Sequence, residues 1–279
     1  MRIASLQPSI TLILKSLNRL DALCACTRYC LEAVPELADR NLPILQDSWT
    51  ANTEEILVTA PDLVLASVPY RLESLAAILK SGLPILTLAP HTLKDIYTDT
   101  RLIAAVVDAR AEGEALIERM EQAIEQIRAT LAAQSEAVAR GSGIVQQGTE
   151  SPARPLVYCE EWGKPLIHSQ AWVAELVEAA GGRFLGEPGA HTTPEAVAAA
   201  NPDVLLFAWC GAGDRVPLAK VVDQRVWQQL PAVVARRVHC IPDQYLNTPA
   251  TTLLDGLNAI AGALHPTLFA AHPEVRTLA

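Results

Sequence analysis

A long stretch without helix breakers most constrains how this chain folds. Neither Gly nor Pro occurs from residue 114 to residue 140, and Gly141 and Gly143 follow it. Within residues 111–140, apolar side chains recur every three or four positions, the spacing of one helical stripe, at Leu116, Met120, Ala123, Ile124, Ile127 and Leu131. About 30 residues at roughly 1.5 Å rise predict a helix about 45 Å long, longer than a small domain is wide. Because the stripe is short and rich in alanine, it favours a connecting helix over a two-stranded coiled coil.

The sequence on either side of this helix alternates between predicted strands and helices. Residues 54–65 and residues 195–206 resemble each other, and each predicts a helix, a Pro-Asp turn and a buried strand rich in Val and Leu. Strands of this kind suit parallel sheets that are covered on both faces. The sequence therefore predicts an α/β protein of two Rossmann-like lobes with mostly parallel sheets. The expected boundaries are an N-terminal lobe at 1–108, a connecting helix at 109–140 and a C-terminal lobe at 141–279, with an exposed loop over 140–155.

The charge and length of the chain exclude some functions. The chain has 279 residues, half of them apolar, which is enough for a well-packed core. Its net charge of −9 argues against a nucleic-acid partner, because binding phosphates needs concentrated Lys and Arg. No run of about 18 apolar residues occurs, so no membrane-spanning helix is predicted. A strand is predicted to start at Arg2 with no signal-peptide pattern ahead of it, which leaves open a cytoplasmic protein or a removed leader.

Motifs that mark common enzyme sites are missing from the sequence. It contains no G-x-x-x-x-G-K-[ST], no G-x-G-x-x-G after a strand, no G-x-S-x-G and no H-E-x-x-H. Cys24, Cys26 and Cys30 resemble part of a metal site, but no standard zinc spacing follows them. We therefore predict that the protein has no enzymatic activity and binds neither a cofactor nor a metal ion. The cysteines are expected to pack as small apolar side chains, and disulfide pairing stays open.

Aromatic side chains occur where several predicted strands end. Ligands of open parallel sheets bind at the carboxyl ends of the strands. Aromatic residues make up only 5% of the chain, so their concentration at these positions favours a large, partly apolar ligand. Any one of these rings could instead cap a core. The predicted ligand-binding residues are Trp49, Tyr70, His91, Trp162, Trp209 and Tyr245.

Short motifs in both halves of the chain carry a family resemblance. In the first half they are Ile3-Ala4-Ser5-Leu6-Gln7-Pro8-Ser9, Tyr29-Cys30 and Pro61-Asp62-Leu63-Val64-Leu65. In the second half they include Glu161-Trp162 with Pro165-Leu166, Ala180-Gly181-Gly182, Pro202-Asp203-Val204, Leu254-Asp255-Gly256-Leu257 and Leu264-His265-Pro266. Together these motifs resemble the substrate-binding proteins of cobalamin and iron-siderophore ABC importers, and the second half is most similar to the cobalamin-binding branch. The likeness covers nearly the whole chain.

This resemblance implies a non-enzymatic binding protein with two lobes, one long connecting helix and a ligand cleft between the lobes. It implies a cobalamin-like corrinoid as the transported ligand, with the strand-end aromatic rings around it and His91 as a hydrogen-bonding partner. It also implies an ABC permease with its ATPase as the partner, docked on Glu73 and Asp214, and a periplasmic or cell-surface location. We expect a monomer.

Two alternatives stay open at this point. The first is a binding protein for a ferric siderophore or for heme. The second is a cytoplasmic two-lobed enzyme, such as a tetrapyrrole metal chelatase. Such an enzyme needs a convergent acid–base group, and Glu160, Glu161 and His168 are the nearest candidates in the sequence.

Overall fold

The chain divides into two compact α/β units. The computed structural model describes residues 1–141 and 154–278, so most of the predicted loop over 140–155 lies outside the described residues. The first unit is Met1–Arg119 with Thr248–Thr251, and the second is Met120–Asn247 with Thr252–Ala279. Each unit contains one sheet with helices packed on it, which confirms the predicted α/β class. Within the described residues, no helix is both long enough and apolar enough to cross a membrane.

The first unit is built on a five-stranded sheet in which every pair of neighbours is parallel. The strand order is β3-β2-β1-β4-β5. The strands are β1 (Ile3–Ser5), β2 (Leu23–Thr27), β3 (Ile44–Leu45), β4 (Leu63–Ser67) and β5 (Ile85–Leu88). The helices are α1 (Pro8–Ser16), α2 (Arg28–Ala33), α3 (Thr53–Val58), α4 (Leu72–Lys80) and α5 (Leu93–Val106). Because the strands are parallel, the loops that follow them meet at one edge of the sheet.

Alternation along the strands explains why both faces of this sheet are covered. Leu65 points into a core formed with α1, α2 and α5. Val64 and Ala66, its neighbours in β4, pack into a second core with α3 and α4. Side chains alternate between the faces of a strand, so a run of consecutive apolar residues fills two cores at once.

The long predicted helix is present as α6 (Arg110–Gly141), with 32 residues. Four residues of the predicted stripe are buried, Leu116, Met120, Ile124 and Ile127, and Ile117 beside them is buried as well. The other two members of the stripe, Ala123 and Leu131, are half-buried. The charged residues between them are exposed. The helix begins in the first unit and continues into the second, so it is one of the places where the chain connects the two units.

The second unit contains a mixed sheet in the order β12-β11-β10-β6-β7-β9, with β8 paired to β6. The strands are β6 (Leu156–Gly163), β7 (Leu166–His168), β8 (Arg183–Phe184), β9 (His191–Thr192), β10 (Val204–Phe207), β11 (Val238–Cys240) and β12 (Arg276–Thr277). The helices are α7 (Ala171–Ala179), α8 (Pro194–Ala200), α9 (Leu218–Gln224), α10 (Pro231–Val234) and α11 (Leu253–Leu264). Neighbours β6, β10 and β11 are parallel, whereas β7, β9 and β12 each join the sheet antiparallel.

The two Pro-Asp segments have the same structural role in the two units. Asp62 accepts a hydrogen bond from the backbone N–H of Arg2 at 2.6 Å, just before β1. Asp203 accepts one from the backbone N–H of Leu156 at 2.7 Å, at the start of β6. Each carboxylate therefore holds the entry of the first strand of its sheet beside a parallel neighbour. This shared contact explains why the sequence repeats a Pro-Asp pair after a helix.

A short segment late in the chain completes the first unit. Residues Thr248–Thr251 belong to that unit although the residues on both sides of them belong to the second. Ala250 is buried in the core formed with α1, α2 and α5. The hydroxyl groups of Ser16 and Thr251 are hydrogen-bonded at 3.0 Å. The first unit is thus not a simple N-terminal piece of the sequence.

All six cysteines carry free thiols, and five of them are buried. Burial raises the pKa of Cys26 and of Cys159 to about 12, so both are neutral thiols at physiological pH. Within the described residues, no group of three or more His, Cys, Asp or Glu side chains is arranged to hold a metal ion. Cys26, Cys30 and Cys240 belong to the hydrophobic cores and pack as small apolar side chains.

Candidate ligand-binding site

The carboxyl ends of three parallel strands shape one edge of the second unit. Trp162 lies at the carboxyl end of β6, and the loops after β10 and β11 carry Trp209 and Asp243. Asp243 accepts hydrogen bonds from the backbone N–H groups of Gly211 at 2.7 Å and of Gly213 at 2.9 Å. Both glycines have a positive φ, 76° and 60°, which side chains with a Cβ rarely adopt. The loop after β10 is therefore held in a tight shape by the loop after β11.

A cavity of about 650 Å³ opens at this edge. It lies within the volume range of pockets that hold small molecules. Both Trp162 and Trp209 line it, so the structure brings these two predicted residues together. The complete lining is Trp162, Gly163, Lys164, Leu166, Pro194, Trp209, Cys210, Gly211, Ala212, Val221, Gln224 and Arg225.

The two tryptophans offer ring surface, since their N–H groups are already bonded. Trp162 is 43% exposed, and its indole N–H donates to the backbone oxygen of Lys164 at 2.8 Å. Trp209 donates to a carboxylate oxygen of Glu160 at 2.7 Å and lies against Gly163, where a Cβ would collide with its ring. The indole positions are therefore fixed by the protein, and flat apolar surface is left for a ligand.

A buried ion pair lies behind the cavity wall. The guanidinium of Arg225 donates two hydrogen bonds to the Glu160 carboxylate, at 2.7 and 2.9 Å. The Glu160 side chain is fully buried and that of Arg225 is 9% exposed. Tyr158 also donates its hydroxyl to Glu160, and burial raises the pKa of this tyrosine. Arg225 is a site residue that the sequence did not predict.

Glu161 and Cys210 form a second polar contact at the cavity. The Cys210 thiol donates to the Glu161 carboxylate at 3.7 Å, and Gln170 donates to it at 2.7 Å. Burial raises the pKa of Glu161, and these two hydrogen bonds partly oppose the increase. Burial also raises the pKa of Cys210, and the nearby Glu161 carboxylate adds to the increase, so its thiol stays neutral.

An enzyme would need its acid–base side chains close together, but the three candidates contact different partners. They are Glu160, Glu161 and His168. Glu160 is paired with Arg225, and Glu161 is bonded to Gln170. His168 is buried, its ring packs edge-on against Tyr158 at 5.3 Å, and its Nδ1 has no hydrogen-bond partner. Burial lowers the pKa of His168, so it stays neutral. His168 does not line the cavity, so the three residues do not form a shared acid–base group there.

In the first unit, the predicted strand-end residues follow strands of one parallel sheet and therefore lie along one edge of it. Trp49, after β3, is 44% exposed, and the guanidinium of Arg71 lies 5.0 Å from its ring centre. Ser74, on α4, donates its hydroxyl to the backbone oxygen of Trp49 at 3.1 Å. Tyr70 follows β4 and is half-buried. His91 follows β5, is exposed, and donates its backbone N–H to Asp95 at 3.0 Å.

Three further residues that the sequence predicts for ligand binding or docking lie outside the cavity lining. Tyr245 is 8% exposed and packs its ring on His272 at 5.3 Å, and burial raises its pKa to about 12. Glu73 is exposed in the first turn of α4. Asp214 is exposed and lies 3.8 Å from Arg276 in an ion pair. Tyr245 does not line the cavity, and ligand contact for it and docking for the two carboxylates stay predictions.

Comparison with known proteins places this fold in a family. A periplasmic heme-binding protein from Pseudomonas aeruginosa has 18% identity and a TM-score of 0.82, with 100% of this chain and 98% of that chain covered. The periplasmic vitamin B12-binding protein of Vibrio cholerae has 23% identity and a TM-score of 0.72, with 95% and 96% covered. A molybdate periplasmic binding protein from Haemophilus influenzae has 17% identity and a TM-score of 0.73, with 95% and 86% covered.

Identities this low show a shared fold. No curated protein sequence matches the chain. The sequence profile of the periplasmic binding protein family, however, matches residues 3–245, which is most of the chain. Together with the two α/β units and the long helix that connects them, this match shows that the chain belongs to the periplasmic binding proteins.

Proposed function

We propose that this protein binds a cobalamin-like corrinoid and delivers it to an ABC importer. The observation that carries the proposal is the pair Trp162 and Trp209 on one cavity of about 650 Å³. A corrinoid is a large, flat macrocycle with apolar faces and neutral amide arms. Fixed indole surfaces beside a mostly apolar wall are suited to such a ligand. The similarity to the vitamin B12-binding protein of Vibrio cholerae supports the same choice.

Heme is the second candidate, because solved heme-binding proteins share the fold. Heme iron is held in proteins by an axial His, Cys, Met or Tyr. Cys210 is the one such residue in the cavity lining, all of which the structure describes. Its thiol donates a hydrogen bond to the Glu161 carboxylate at 3.7 Å, so binding iron would replace that contact. A corrinoid brings its own axial ligands, so this cavity favours the corrinoid over heme.

A ferric siderophore ranks below both ligands. Anionic chelates favour binding sites with uncompensated cations. The cavity lining contains Lys164 and Arg225, and Glu160 neutralises the second of these.

The partner would be an ABC permease with its ATPase. Glu73 is exposed on α4, where an arginine of a permease could reach it. Asp214 is already paired with Arg276, so docking there would replace an existing contact. Both residues come from the family resemblance, and their role is part of the proposal.

Calorimetric titration with cyanocobalamin and with hemin, followed in parallel by visible spectra, tests the ligand. We expect binding of cyanocobalamin and weaker binding of hemin. The Trp162→Ala variant should lower cyanocobalamin affinity about tenfold to a hundredfold, because a ligand covering the exposed part of this ring buries roughly 50–100 Å². Val234→Ala is a control, since this exposed side chain of the second unit does not line the cavity. Neither heat nor a spectral change with cyanocobalamin at tens of micromolar would contradict the proposal.

A further inference from the structure

Glu160 is the centre of the hydrogen bonds behind the cavity wall. One carboxylate oxygen accepts from Trp209 at 2.7 Å and from Arg225 at 2.9 Å. The other accepts from Arg225 at 2.7 Å and from the hydroxyl of Tyr158. A carboxylate has about four acceptor positions, so this one is fully used by the protein. Glu160 therefore makes no contact with a ligand, but it orients two side chains that line the cavity.

The charge of Arg225 is compensated on the side away from the cavity. Its guanidinium is planar and bonded to Glu160 in a bidentate manner, and it lies 4.9 Å from the ring centre of Trp227. A buried ion pair of this kind is weak evidence for stability, because removing both charges from water costs about as much as their attraction returns. The pair does set the charge of the buried part of the cavity wall, because Glu160 cancels the charge of Arg225. The other cation of the lining, Lys164, is exposed, so solvent screens its charge.

We propose that Glu160 determines the charge class of the ligand. By cancelling Arg225, it makes the cavity select an uncharged aromatic or macrocyclic ligand over an anionic one of the same shape. This inference rests on the proposed function in one respect, because it takes the cavity as the place where the ligand binds. Glu160 is then a specificity-determining residue that acts through Arg225 and Trp209.

Two dyes with one aromatic skeleton separate charge from shape. N-phenyl-1-naphthylamine is uncharged, and 1-anilinonaphthalene-8-sulfonate adds one sulfonate; both fluoresce when they enter an apolar cavity. The signal assigned to the cavity is the part that the Trp162→Ala variant lacks. The wild-type protein should bind the uncharged dye about tenfold more tightly than the anionic one. Equal affinities of the wild-type protein for the two dyes, or a preference for the sulfonate, would overturn the inference.

Substitution at Glu160 then tests the residue itself. Glu160→Gln keeps the acceptor for Trp209 but leaves Arg225 uncompensated, so affinity for the sulfonate should rise about tenfold to a hundredfold, with the uncharged dye little changed. The double variant Glu160→Gln/Arg225→Met should lose this gain. Gln224→Lys adds a cation to the same lining on an exposed side chain, and it should reproduce the gain without disturbing the ion pair.

The outcomes are distinguishable from failure of the proposed function. A folded Glu160→Gln protein with unchanged dye preference, beside a Gln224→Lys protein with the gain, would overturn the role of Glu160. If the wild type binds neither cyanocobalamin nor hemin but shows the dye preferences described, the corrinoid proposal fails and the inference about charge selection stands. Circular dichroism and thermal unfolding of each variant show that it is folded before its affinities are compared.

Discussion

Replacing Gly163 by alanine should disturb the cavity through a steric clash between the new Cβ and the Trp209 ring. A Cβ at this position would lie 2.5 Å from Cζ2 and 2.8 Å from Cε2 of Trp209. Carbon atoms pack at about 3.5–4.0 Å, so the indole must move by about 1 Å. The ring is held by its hydrogen bond to Glu160 at 2.7 Å, and the movement would lengthen that bond beyond its normal range of about 3.2 Å.

The expected cost combines two effects. Extra atoms in a well-packed region typically cost about 1–3 kcal/mol. Weakening the bond to Glu160 adds up to about 1 kcal/mol. We expect a total of about 2 kcal/mol, which lowers the thermal midpoint of the second unit by about 4–8 °C. Because Trp209 lines the cavity, ligand affinity should fall at least about tenfold.

Gly211→Ala is a matched control for this substitution. Gly211 also lines the cavity, but a Cβ there would meet no atom within 4 Å. Its φ of 76° makes alanine unfavourable by about 1–2 kcal/mol, so the control loses stability through the backbone alone. Differential scanning calorimetry and ligand titration of both variants separate the effects. Equal affinity losses in the two variants, or an unchanged midpoint for Gly163→Ala, would refute the steric argument.

Two further predictions concern acid stability and the permease. Burial, followed by the positive charge of Arg237, lowers the pKa of His239 to about 4. In the folded protein the His239 imidazole therefore stays unprotonated between pH 6.5 and 4, whereas in the unfolded chain it binds a proton. The free energy of unfolding should fall by up to about 3 kcal/mol as the pH drops through this range. Urea unfolding at pH 7 and pH 4.5 measures the loss, which His239→Asn should reduce; an identical pH dependence in both proteins would count against this explanation. Glu73→Gln should reduce ligand uptake in a reconstituted transporter and leave ligand affinity unchanged, and unchanged uptake would exclude docking through this carboxylate.

The parts of the fold that could be predicted have local sequence patterns. The helix over 111–140 could be recognised because breakers are missing from it, and it is observed as α6. The sequence also predicts a helix over 226–235, but the structure has one only over Pro231–Val234. Val226 has a left-handed φ of 58° that ends the preceding turn, and Pro231 starts a separate short helix. Strands of two or three residues such as β9 and β12 escaped prediction, because their pairing depends on distant neighbours.

The same distinction holds for the candidate site. The rule that ligands bind at strand ends located Trp162 and Trp209, since it needs only the positions of the strands. Arg225 could not be found in this way, because 65 residues separate it from Glu160 and nothing in the local sequence marks the pairing. The rule also selected Tyr245, whose burial against His272 depends on a segment near the end of the chain. The surroundings of Arg225 and Tyr245 depend on packing between segments that are distant in the sequence.

The return of residues Thr248–Thr251 to the first unit has a consequence for how the protein is made. A ribosome synthesises a chain from its N-terminal toward its C-terminal end, so the larger part of the second unit, Met120–Asn247, is made before Ala250. Until then the core around α1, α2 and α5 lacks a side chain, and Ser16 lacks its hydrogen bond to Thr251. The first unit therefore reaches its final packing only after most of the chain has been made, and a fragment that ends after α6 lacks both contacts.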